Sequence, residues 1–291
     1  MLGLILAGGT GSRLGPITKV VSKQLLPIHD KPMIYYPISL LMASGIREFV
    51  IISTPRDLVS FQNLLGDGSS WGVKFQYVLQ EKPVGLPDAF LVSEKLIGGR
   101  PSTLILGDNL FYGSGLGRNI HSSAESNGAT VYGYFVDDVS PFGTFKISKN
   151  GEIESLVEKP AEGGRGYAIP GIYHFDGTVS ERTRKLKPSS RGELEIVDLM
   201  NSYLVDGMLT YKIIDRGTAW LDTGSVADMN LASELIRVVQ SRQGMLIGSP
   251  EEVAFRNHWI DSNQLEKLAN LQSASAYGKS LLKIVEENEQ F

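Results

Sequence analysis

The sequence predicts an α/β fold in which a mixed, mostly parallel central sheet is flanked by helices and is followed by a small C-terminal helical extension. Three observations predict this fold. The chain opens with a short apolar run, residues 2–7, that ends in two glycines. Strand patterns and helix patterns then alternate as far as residue 106, which is typical of a parallel sheet. From residue 242 onward the pattern is that of short amphipathic helices.

The first half of the chain supplies the predicted parallel strands. Residues 2–7 are continuously apolar, as in a strand buried on both faces. Asp30 offers a capping side chain and Pro32 fits a first helical turn, so a helix is expected over residues 33–43, ending near Gly45. The same reasoning predicts strands at residues 49–53, 74–79 and 103–106 and helices at residues 57–65 and 87–96.

The second half of the chain completes the sheet and adds the extension. Its apolar segments predict strands, expected to be antiparallel members of the same sheet, at residues 130–136, 143–147, 167–175 and 209–214. A long helix is expected from about Val226. We therefore predict two units, a main domain over residues 1–241 and a helical extension over residues 242–291.

The composition limits the classes of function. With 42% hydrophobic residues, 21% charged residues and a net charge of −4, the chain has an ordinary globular composition and no overall signal for a nucleic-acid partner. It contains no cysteine, which excludes a disulfide framework, a thiolate metal site and a cysteine nucleophile. Residues 33–46 form an apolar stretch that is too short to span a bilayer. We therefore expect a cytoplasmic protein with no nucleic-acid partner and no membrane partner.

The loops after the early strands should form one ligand site. In open parallel sheets ligands bind beyond the carboxyl ends of the strands. In this Rossmann-like arrangement the loops at residues 8–13, 80–86 and 107–112 should therefore converge on one crevice.

The glycine-rich loop after the first strand is the strongest single signal. Gly8, Gly9 and Gly11 allow a phosphate to approach backbone N–H groups, and Arg13 adds a permanently charged, forked donor. No Gly-Lys-Ser/Thr ending follows, so the loop is not a P-loop. Leu14 stands where a dinucleotide-binding fingerprint has its third glycine, so a hydride-transfer enzyme is not favoured either.

Together with this loop, several later blocks resemble the bacterial glucose-1-phosphate thymidylyltransferases, which belong to the sugar nucleotidylyltransferase family. The likeness continues through the Lys-Gln-Leu-Leu-Pro run that begins at Lys23. It covers nearly the whole chain, in blocks that keep the family's order, at residues 30–37, 66–68, 107–109, 158–160, 191–196, 219–224 and 250–252. So many ordered matches are not expected by accident.

The resemblance implies a nucleotide site at the first loops. In such enzymes the glycine-rich loop, its arginine and a lysine bind the nucleotide phosphates, which assigns Arg13 and Lys23. Glutamines that read the pyrimidine are implied to be Gln24 and Gln80, because an amide both donates and accepts. The implied nucleotide-binding residues are Leu6, Ala7, Gly8, Gly9, Gly11, Ser12, Arg13, Gln24, Gln80, Pro83, Gly85 and Asp108.

The resemblance also implies a magnesium site and a sugar-phosphate site. Mg²⁺ is expected on Asp108 and Asp222, because hard carboxylate oxygens suit this ion and phosphate oxygens and water complete its octahedron. Lys159 is expected on the acceptor phosphate and Glu158 on the sugar hydroxyls. The implied sugar-phosphate-binding residues are Gly143, Glu158, Lys159, Ile169, Tyr173, Arg191 and Trp220. The implied catalytic residues are Arg13, Lys23 and Lys159.

The implied reaction is an attack by the phosphate of glucose 1-phosphate on the α-phosphorus of dTTP, which yields dTDP-glucose and pyrophosphate without a covalent enzyme intermediate. Use of UTP or of another sugar 1-phosphate is the nearest alternative, because a methyl group and a deoxyribose are small differences for a pocket to enforce. An alternative of another class is a non-catalytic regulator that binds nucleotide sugars. A degenerate copy of that kind is expected to lack a metal aspartate or a phosphate lysine. This chain has both aspartates, Asp108 and Asp222, and both lysines, Lys23 and Lys159.

Similar enzymes are homotetramers with a second, regulatory nucleotide site at a subunit interface. The resemblance therefore implies a homo-oligomer, expected to be a tetramer. It places the regulatory site at Tyr112, Gly113, Arg216 and Arg256. One departure from the family pattern touches the sugar loop, where Phe142 stands in place of the usual tyrosine.

Overall fold

The computed structural model describes residues 1–9, 11–113, 115–123 and 127–289. Thr10 of the glycine-rich loop and the last two residues of the predicted extension lie outside the described residues. The described residues form fourteen strands: β1 (Leu2–Leu6), β2 (Pro27–Ile28), β3 (Lys31–Pro32), β4 (Glu48–Ser53), β5 (Lys74–Leu79), β6 (Ser102–Leu106), β7 (Leu110–Tyr112), β8 (Ala129–Val136), β9 (Gly143–Ile147), β10 (Ile153–Glu158), β11 (Gly166–Ala168), β12 (Ile172–Phe175), β13 (Leu209–Ile213) and β14 (Ala219–Leu221).

Ten of these strands form one mixed sheet. Its order is β10-β9-β11-β8-β12-β6-β1-β4-β5, with β13 beside β8. The strands β6, β1, β4 and β5 are parallel, and so is the β8–β13 pair. The remaining neighbours pair antiparallel. The predicted mixed α/β sheet is confirmed, and its parallel pairing is concentrated in the N-terminal strands. The prediction that the strand at residues 209–214 is antiparallel is wrong, because β13 pairs parallel with β8.

The strand order reverses at β1. The chain passes from β1 to β4 and β5 on one side and returns to β6 on the other side. Such a reversal leaves a crevice at the carboxyl ends of the strands, because the connections leave in opposite directions. The glycine-rich loop follows β1 and therefore lies at this crevice.

Helices cover both faces of the sheet. The long helix after residue 225 begins where the Ser225 hydroxyl accepts the N–H of Asp228, and it ends at Gly244 with φ 68°. The described residues form the helices α1 (Tyr35–Ala43), α2 (Leu58–Leu65), α3 (Asp88–Val92), α4 (Glu94–Ile97), α5 (Leu116–Ser123), α6 (Val179–Arg184), α7 (Ile196–Val205), α8 (Val226–Gln243), α9 (Pro250–Arg256), α10 (Ser262–Leu271) and α11 (Ala276–Glu289).

The strand β1 contributes to the apolar cores on both faces. Ile5 packs in the cluster with α1 and α2, and Leu4 packs in the cluster with α7. Alternate side chains of a strand point to opposite faces, so a strand covered on both faces is continuously apolar. Leu265 and Leu281 of the C-terminal helices belong to the same cluster as Ile5. The extension therefore shares the main core, and the predicted boundary between residues 241 and 242 falls within α8.

The predicted start of the first helix is wrong. Lys31–Pro32 pairs with Pro27–Ile28 as a two-residue strand, so Pro32 lies outside the first helical turn, and the helix begins at Tyr35. The backbone N–H of Met33 donates to the Leu26 carbonyl at 2.9 Å, which continues the hairpin past Pro32. Asp30 pairs with the Lys31 ammonium instead of capping the helix. This hairpin pairing outweighs the capping pattern.

Two other predicted elements are divided. The strand predicted at residues 167–175 is two strands, β11 and β12, because residues 169–171 contain Pro170, which has no N–H to donate to a sheet. The Ile169 N–H donates to the Gly143 carbonyl of β9 at 2.7 Å, and the Gly171 carbonyl accepts from the Leu106 N–H of β6 at 2.8 Å. The helix predicted at residues 87–96 is interrupted at Ser93, where φ is −99° and ψ is 3°.

Among the described residues, no helix has the length and apolar character needed to cross a membrane.

Candidate active site

The three predicted ligand loops meet at one edge of the sheet. The N–H of Gly107, after β6, donates to the Leu6 carbonyl at 2.9 Å. Gln80, directly after β5, has its side-chain Oε1 beside Gly8, since a Cβ added to Gly8 would lie 3.0 Å from that oxygen. Gly85 adopts φ 119° and forms a bridge with Leu194, which closes this edge. The predicted convergence of the loops is thus present in the structure.

A cleft of about 550 Å³ lies beside these loops. Its lining joins the end of β6 with residues from β9, β10, β12, β14 and the start of α7. It contains all seven residues of the predicted sugar-phosphate set, namely Gly143, Glu158, Lys159, Ile169, Tyr173, Arg191 and Trp220. The structure therefore brings together residues that are up to 77 positions apart in the chain, from Gly143 to Trp220.

A second cavity, of about 230 Å³, lies under the glycine-rich loop. Its lining contains Gly9, Gly11, Ser12, Arg13, Leu14, Lys23, Gln24, Asp108 and Gly224. Arg13 and Asp108 line both cavities. The two cavities therefore adjoin at one cation and one carboxylate, and two ligands could meet there.

The remaining residues of the predicted nucleotide set are not among the residues that line the two cavities; they are Leu6, Ala7, Gly8, Gln80, Pro83 and Gly85. Ala7 and Gln80 are buried beside the loop, and Gly8 contacts Gln80. Pro83 is exposed. At Gly85 an added Cβ would lie 2.1 Å from the Leu194 carbonyl oxygen, so only glycine fits this position.

Lys23 and Asp108 form an ion pair at the junction of the cavities. The Lys23 ammonium lies 2.7 Å from Oδ2 of Asp108 and 3.4 Å from the Asp222 carbonyl oxygen. The Thr223 hydroxyl donates to the Asp108 carbonyl oxygen at 2.8 Å, with Thr223 at φ 43°. The Lys23 ammonium group therefore contacts the carboxylate of one predicted metal aspartate and the main chain of the other.

Arg13 is a cation without a carboxylate partner in this region. It is exposed and forms no ion pair with any residue that the structure describes. Its guanidinium lies against Gly224, where an added Cβ would lie 3.1 Å from a guanidinium nitrogen. The charge of Arg13 is therefore available to an anionic ligand in either cavity.

Glu158 lies in a cluster of charges within the cleft. Its carboxylate is 3.5 Å from the Arg191 guanidinium and 4.0 Å from the Lys159 ammonium. Arg191 also forms an ion pair of 2.8 Å with Glu195, four residues later. Burial raises the pKa of Glu158, the Lys159 charge opposes this rise, and the Glu195 charge adds to it. Glu158 is thus a half-buried acceptor suited to hydroxyl groups.

Tyr173 and Trp220 close the cleft. Tyr173 is buried on β12, and its pKa is raised by burial and, to a lesser extent, by the Glu158 and Asp108 carboxylates. The phenol therefore stays neutral at physiological pH. The indole N–H of Trp220 donates to Oδ1 of Asn109 at 2.6 Å, and the Asn109 amide donates to Oδ1 of Asp108 at 3.1 Å. This chain of bonds orients Asp108.

Some cleft residues were not among the predicted site residues. Asn109 and Glu195 stand inside motifs that the sequence analysis singled out, and each orients a predicted site residue. The spacing of four residues between Arg191 and Glu195 is a local signal for such a pair. Among the other lining residues, Glu193 and Leu194 lie inside the motif at residues 191–196, and Leu194 is placed by its bridge with Gly85. Leu86, Pro141 and Val197 also line the cleft.

The predicted regulatory residues are distributed over two regions. Tyr112 on β7 donates its hydroxyl to Gln243 at 2.7 Å, and an added Cβ on Gly113 would lie 2.5 Å from the Thr218 hydroxyl. Arg216 is exposed in the turn before β14, close in sequence to Thr218. Arg256 lies on α9 and forms an ion pair of 2.6 Å with Glu252. A common role for these residues stays a prediction.

The donor set at Asp108 and Asp222 fits a magnesium ion. Both carboxylates line the large cleft, and a lysine ammonium already lies next to Asp108 as a balancing cation. No group of three or more His, Asp or Glu side chains able to hold a metal occurs among the described residues. Mg²⁺ commonly binds to one or two carboxylates, and phosphate oxygens and water occupy the remaining positions of its coordination octahedron.

Comparison with known proteins agrees with this geometry. The profile of the nucleotidyl transferase family matches residues 2–237. The chain belongs to this family. It is 49% identical over 280 residues to a glucose-1-phosphate thymidylyltransferase of Xanthomonas campestris pv. campestris (strain B100), which covers 96% of this chain and 95% of the relative. A Neisseria gonorrhoeae protein of the same name is 46% identical over 286 residues, which cover 98% of this chain and 99% of that relative. The resemblance inferred from the motifs is thus confirmed.

Two solved structures extend the comparison. A Bacillus anthracis protein assigned as a glucose-1-phosphate thymidylyltransferase, solved with a sucrose, matches with a TM-score of 0.75 and 39% identity over 81% of this chain and 96% of that one. A UDP-glucose pyrophosphorylase in complex with UDP-glucose matches with a TM-score of 0.70 and 26% identity over 82% of this chain and 98% of that one. Both nucleotidyltransferases share the fold described here.

Proposed function

We propose that this chain is a magnesium-dependent enzyme that transfers dTMP from dTTP to α-D-glucose 1-phosphate, releasing dTDP-glucose and pyrophosphate. The observation that carries the proposal is the shared lining of the two cavities by Arg13 and Asp108. A nucleotide under the glycine-rich loop and a sugar phosphate in the larger cleft would present their phosphates to each other at these two residues. The names of the close relatives support the choice of substrates.

The proposed reaction needs no nucleophilic side chain. An oxygen of the sugar phosphate forms a bond to the α-phosphorus, the bond from that phosphorus to the β-phosphate oxygen breaks, and pyrophosphate leaves with the electron pair. No proton has to move, because the attacking phosphate is ionised near neutral pH. Catalysis then depends on positioning and on neutralising the phosphate charges.

The cations of the site have separate proposed roles. Arg13, exposed and facing both cavities, binds the triphosphate. Lys23 exchanges its contact with Asp108 for a phosphate when nucleotide and metal bind. Lys159, whose ammonium is 4.0 Å from Glu158, holds the acceptor phosphate while Glu158 accepts hydrogen bonds from the sugar. Mg²⁺, held by Asp108 and Asp222, supplies further charge neutralisation on the phosphate oxygens when bound.

Three features of the family accompany this proposal. The chain is proposed to assemble as a homotetramer, with a regulatory nucleotide site formed by Tyr112, Gly113, Arg216 and Arg256. The exposed Arg216 and the pairing of β7 with β14 give such a site a defined surface. The chain is proposed to act in the cytoplasm, and its lack of cysteine fits a reducing compartment.

The first experiment is pyrophosphate release from dTTP or UTP in the presence of glucose 1-phosphate and Mg²⁺. We expect faster release with dTTP than with UTP and loss of release in Asp108→Ala. The likeness to a UDP-glucose pyrophosphorylase favours UTP as the second candidate, and equal or faster release with UTP would support it. A lack of release with every nucleotide and hexose 1-phosphate would reject the enzyme and favour a nucleotide-sugar-binding regulator.

A further inference from the structure

The amide of Gln80 has its orientation set by a neighbouring carboxylate. Gln80 is 2% exposed, and its Nε2 donates a hydrogen bond of 2.8 Å to Oδ2 of Asp88, the first residue of α3. An ionised carboxylate only accepts hydrogen bonds, so it requires the NH₂ end of the amide and repels the carbonyl end. The Gln80 amide therefore cannot turn over without losing this bond.

The other end of this amide faces the glycine-rich loop. A Cβ added to Gly8 would lie 3.0 Å from Oε1 of Gln80, so the absence of a side chain at Gly8 leaves room for this oxygen. Gln80 therefore presents one acceptor, Oε1, and one N–H not bound to Asp88. Oε1 is beside the loop that is proposed to hold the nucleotide.

A second glutamine is held in the complementary sense. The Ser22 hydroxyl donates a hydrogen bond of 2.6 Å to Oε1 of Gln24, and both residues are buried. This bond occupies the carbonyl of Gln24 and leaves its NH₂ group to donate. Gln24 lines the smaller cavity with Gly9 and Arg13. One glutamine thus offers an acceptor, and the other offers donors.

We infer that Asp88 and Ser22 are positioning residues that set the base preference of the nucleotide site. The inference rests on the proposed function, which assigns Gln24 and Gln80 to the base. Thymine and uracil carry a donor at N3 between two carbonyl acceptors, which matches an acceptor accompanied by donors. Cytosine carries an acceptor at N3 and an amino group at C4, so it places donor against donor and acceptor against acceptor. The site is therefore built for thymine or uracil and against cytosine.

The test is the preference for dTTP over dCTP in Asp88→Asn. Asparagine keeps the shape of aspartate but offers either a carbonyl or an NH₂ group, which frees the Gln80 amide to turn. We expect the ratio of kcat/KM for dTTP to that for dCTP to fall by roughly tenfold or more, as when a buried polar group loses its partner. Binding of dTDP and dCDP without sugar phosphate, measured by calorimetry, should change in the same direction. A loss of packing alone would weaken both nucleotides equally and leave the ratio unchanged.

Two further variants complete the experiment. Asp261→Asn, at the N-terminus of α10 and outside the lining of both cavities, is the matched control and should keep the wild-type ratio. Ser22→Ala removes the hydrogen bond that orients Gln24 and should lower the same ratio of dTTP use to dCTP use. This variant tests the inference if Asp88→Asn does not fold. Unchanged ratios in Asp88→Asn and Ser22→Ala, in a protein that still uses dTTP, would overturn this inference alone. Failure of the wild-type chain to bind or use dTTP would overturn the proposed function as well.

Discussion

Lys23 and Asp108 form a close ion pair, with 2.7 Å between the ammonium nitrogen and Oδ2. The lysine is buried, whereas the aspartate lines both cavities. The carboxylate proposed to hold Mg²⁺ is therefore already balanced by a cation before any ligand binds. Asp108 and Asp222 would hold the metal, and Lys23 would then be free to contact a phosphate.

The first prediction concerns Asp108→Asn, which should lower kcat/KM by about 100-fold or more, as for loss of a central electrostatic group. It should also weaken Mg²⁺-dependent binding of dTTP, because a neutral amide oxygen is a poorer ligand. Pyrophosphate release and calorimetry at increasing Mg²⁺ measure the two effects. Asp137→Asn, at an exposed position paired with Arg165, is the control. Undiminished Mg²⁺-dependent binding in Asp108→Asn would contradict the proposed metal site.

The second prediction concerns Glu158→Gln and the pH dependence of stability. Burial raises the pKa of Glu158 above its ordinary value of 4.5, so the folded state favours the protonated acid. This contribution to stability is present below the unfolded pKa and is lost as pH rises through the folded pKa. The free energy of unfolding of Glu158→Gln should therefore increase relative to wild type as pH rises across this range.

Denaturant unfolding at several pH values measures this difference. Glu154→Gln, at an exposed position on the same strand, is the control and should follow wild type at every pH. Glu158→Gln should also raise KM for glucose 1-phosphate more than KM for dTTP, since the carboxylate is proposed to bind the sugar. An equal change in the two KM values would be inconsistent with that role.

The third prediction concerns His174, which is buried in β12. Its Nδ1 and the Thr103 hydroxyl share a hydrogen bond of 3.1 Å, while Nε2 is buried without a partner among the described residues. Burial, followed by the Lys212 charge, lowers the pKa of His174 from 6.5 to about 4. The neutral ring therefore stabilises the fold above pH 6.5, and this contribution is lost as pH falls toward 4.

The full contribution of His174 is about 3 kcal/mol, from the size of the shift. His174→Asn keeps an amide near the position of Nδ1 and removes the titration. We expect its free energy of unfolding to depend less on pH than that of wild type in this range. Equal pH dependence of the two proteins would show that His174 does not titrate differently on folding.

Several parts of the fold follow from local sequence. The strands at residues 74–79 and 143–147 were predicted with their observed bounds, because alternating or apolar runs bounded by turn residues are local signals. The glycine-rich loop was located because glycines directly after a buried strand indicate a tight turn. The short strands β7 and β14 were missed, because each has three residues and is stable only through pairing with the other.

The predicted site residues depend on long-range contacts that no local pattern reveals. Lys23 meets Asp108 across 85 positions, and Trp220 meets Asn109 across 111 positions. The resemblance to a family supplied Lys23, Asp108 and Trp220 as parts of one set, whereas the partner of each one is set by the sheet order. The same limit explains why Asp88 was not predicted, since its contact with Gln80 requires α3 to begin beside the end of β5.

The last prediction concerns Tyr277, which links the C-terminal helices to the main core. Its hydroxyl donates to Oε2 of the buried Glu251 at 2.5 Å, and its ring lies 5.1 Å from the Lys31 ammonium. Burial raises the pKa of Glu251, and the Tyr277 bond is the main interaction that opposes this rise. Tyr277→Phe removes that donor and should lower the free energy of unfolding by about 1–3 kcal/mol, the cost of a buried polar group left without its partner.

Chemical denaturation followed by far-UV circular dichroism measures the effect of Tyr277→Phe. Because Leu281 of α11 and Ile5 of β1 belong to one apolar cluster, the loss should appear as a shift of a single cooperative transition for the whole chain. Leu271→Ala is the control, because Leu271 is 83% exposed at the end of α10 and should leave the midpoint nearly unchanged. A separate early transition in Tyr277→Phe would instead mean that residues 242–291 unfold independently of the main domain.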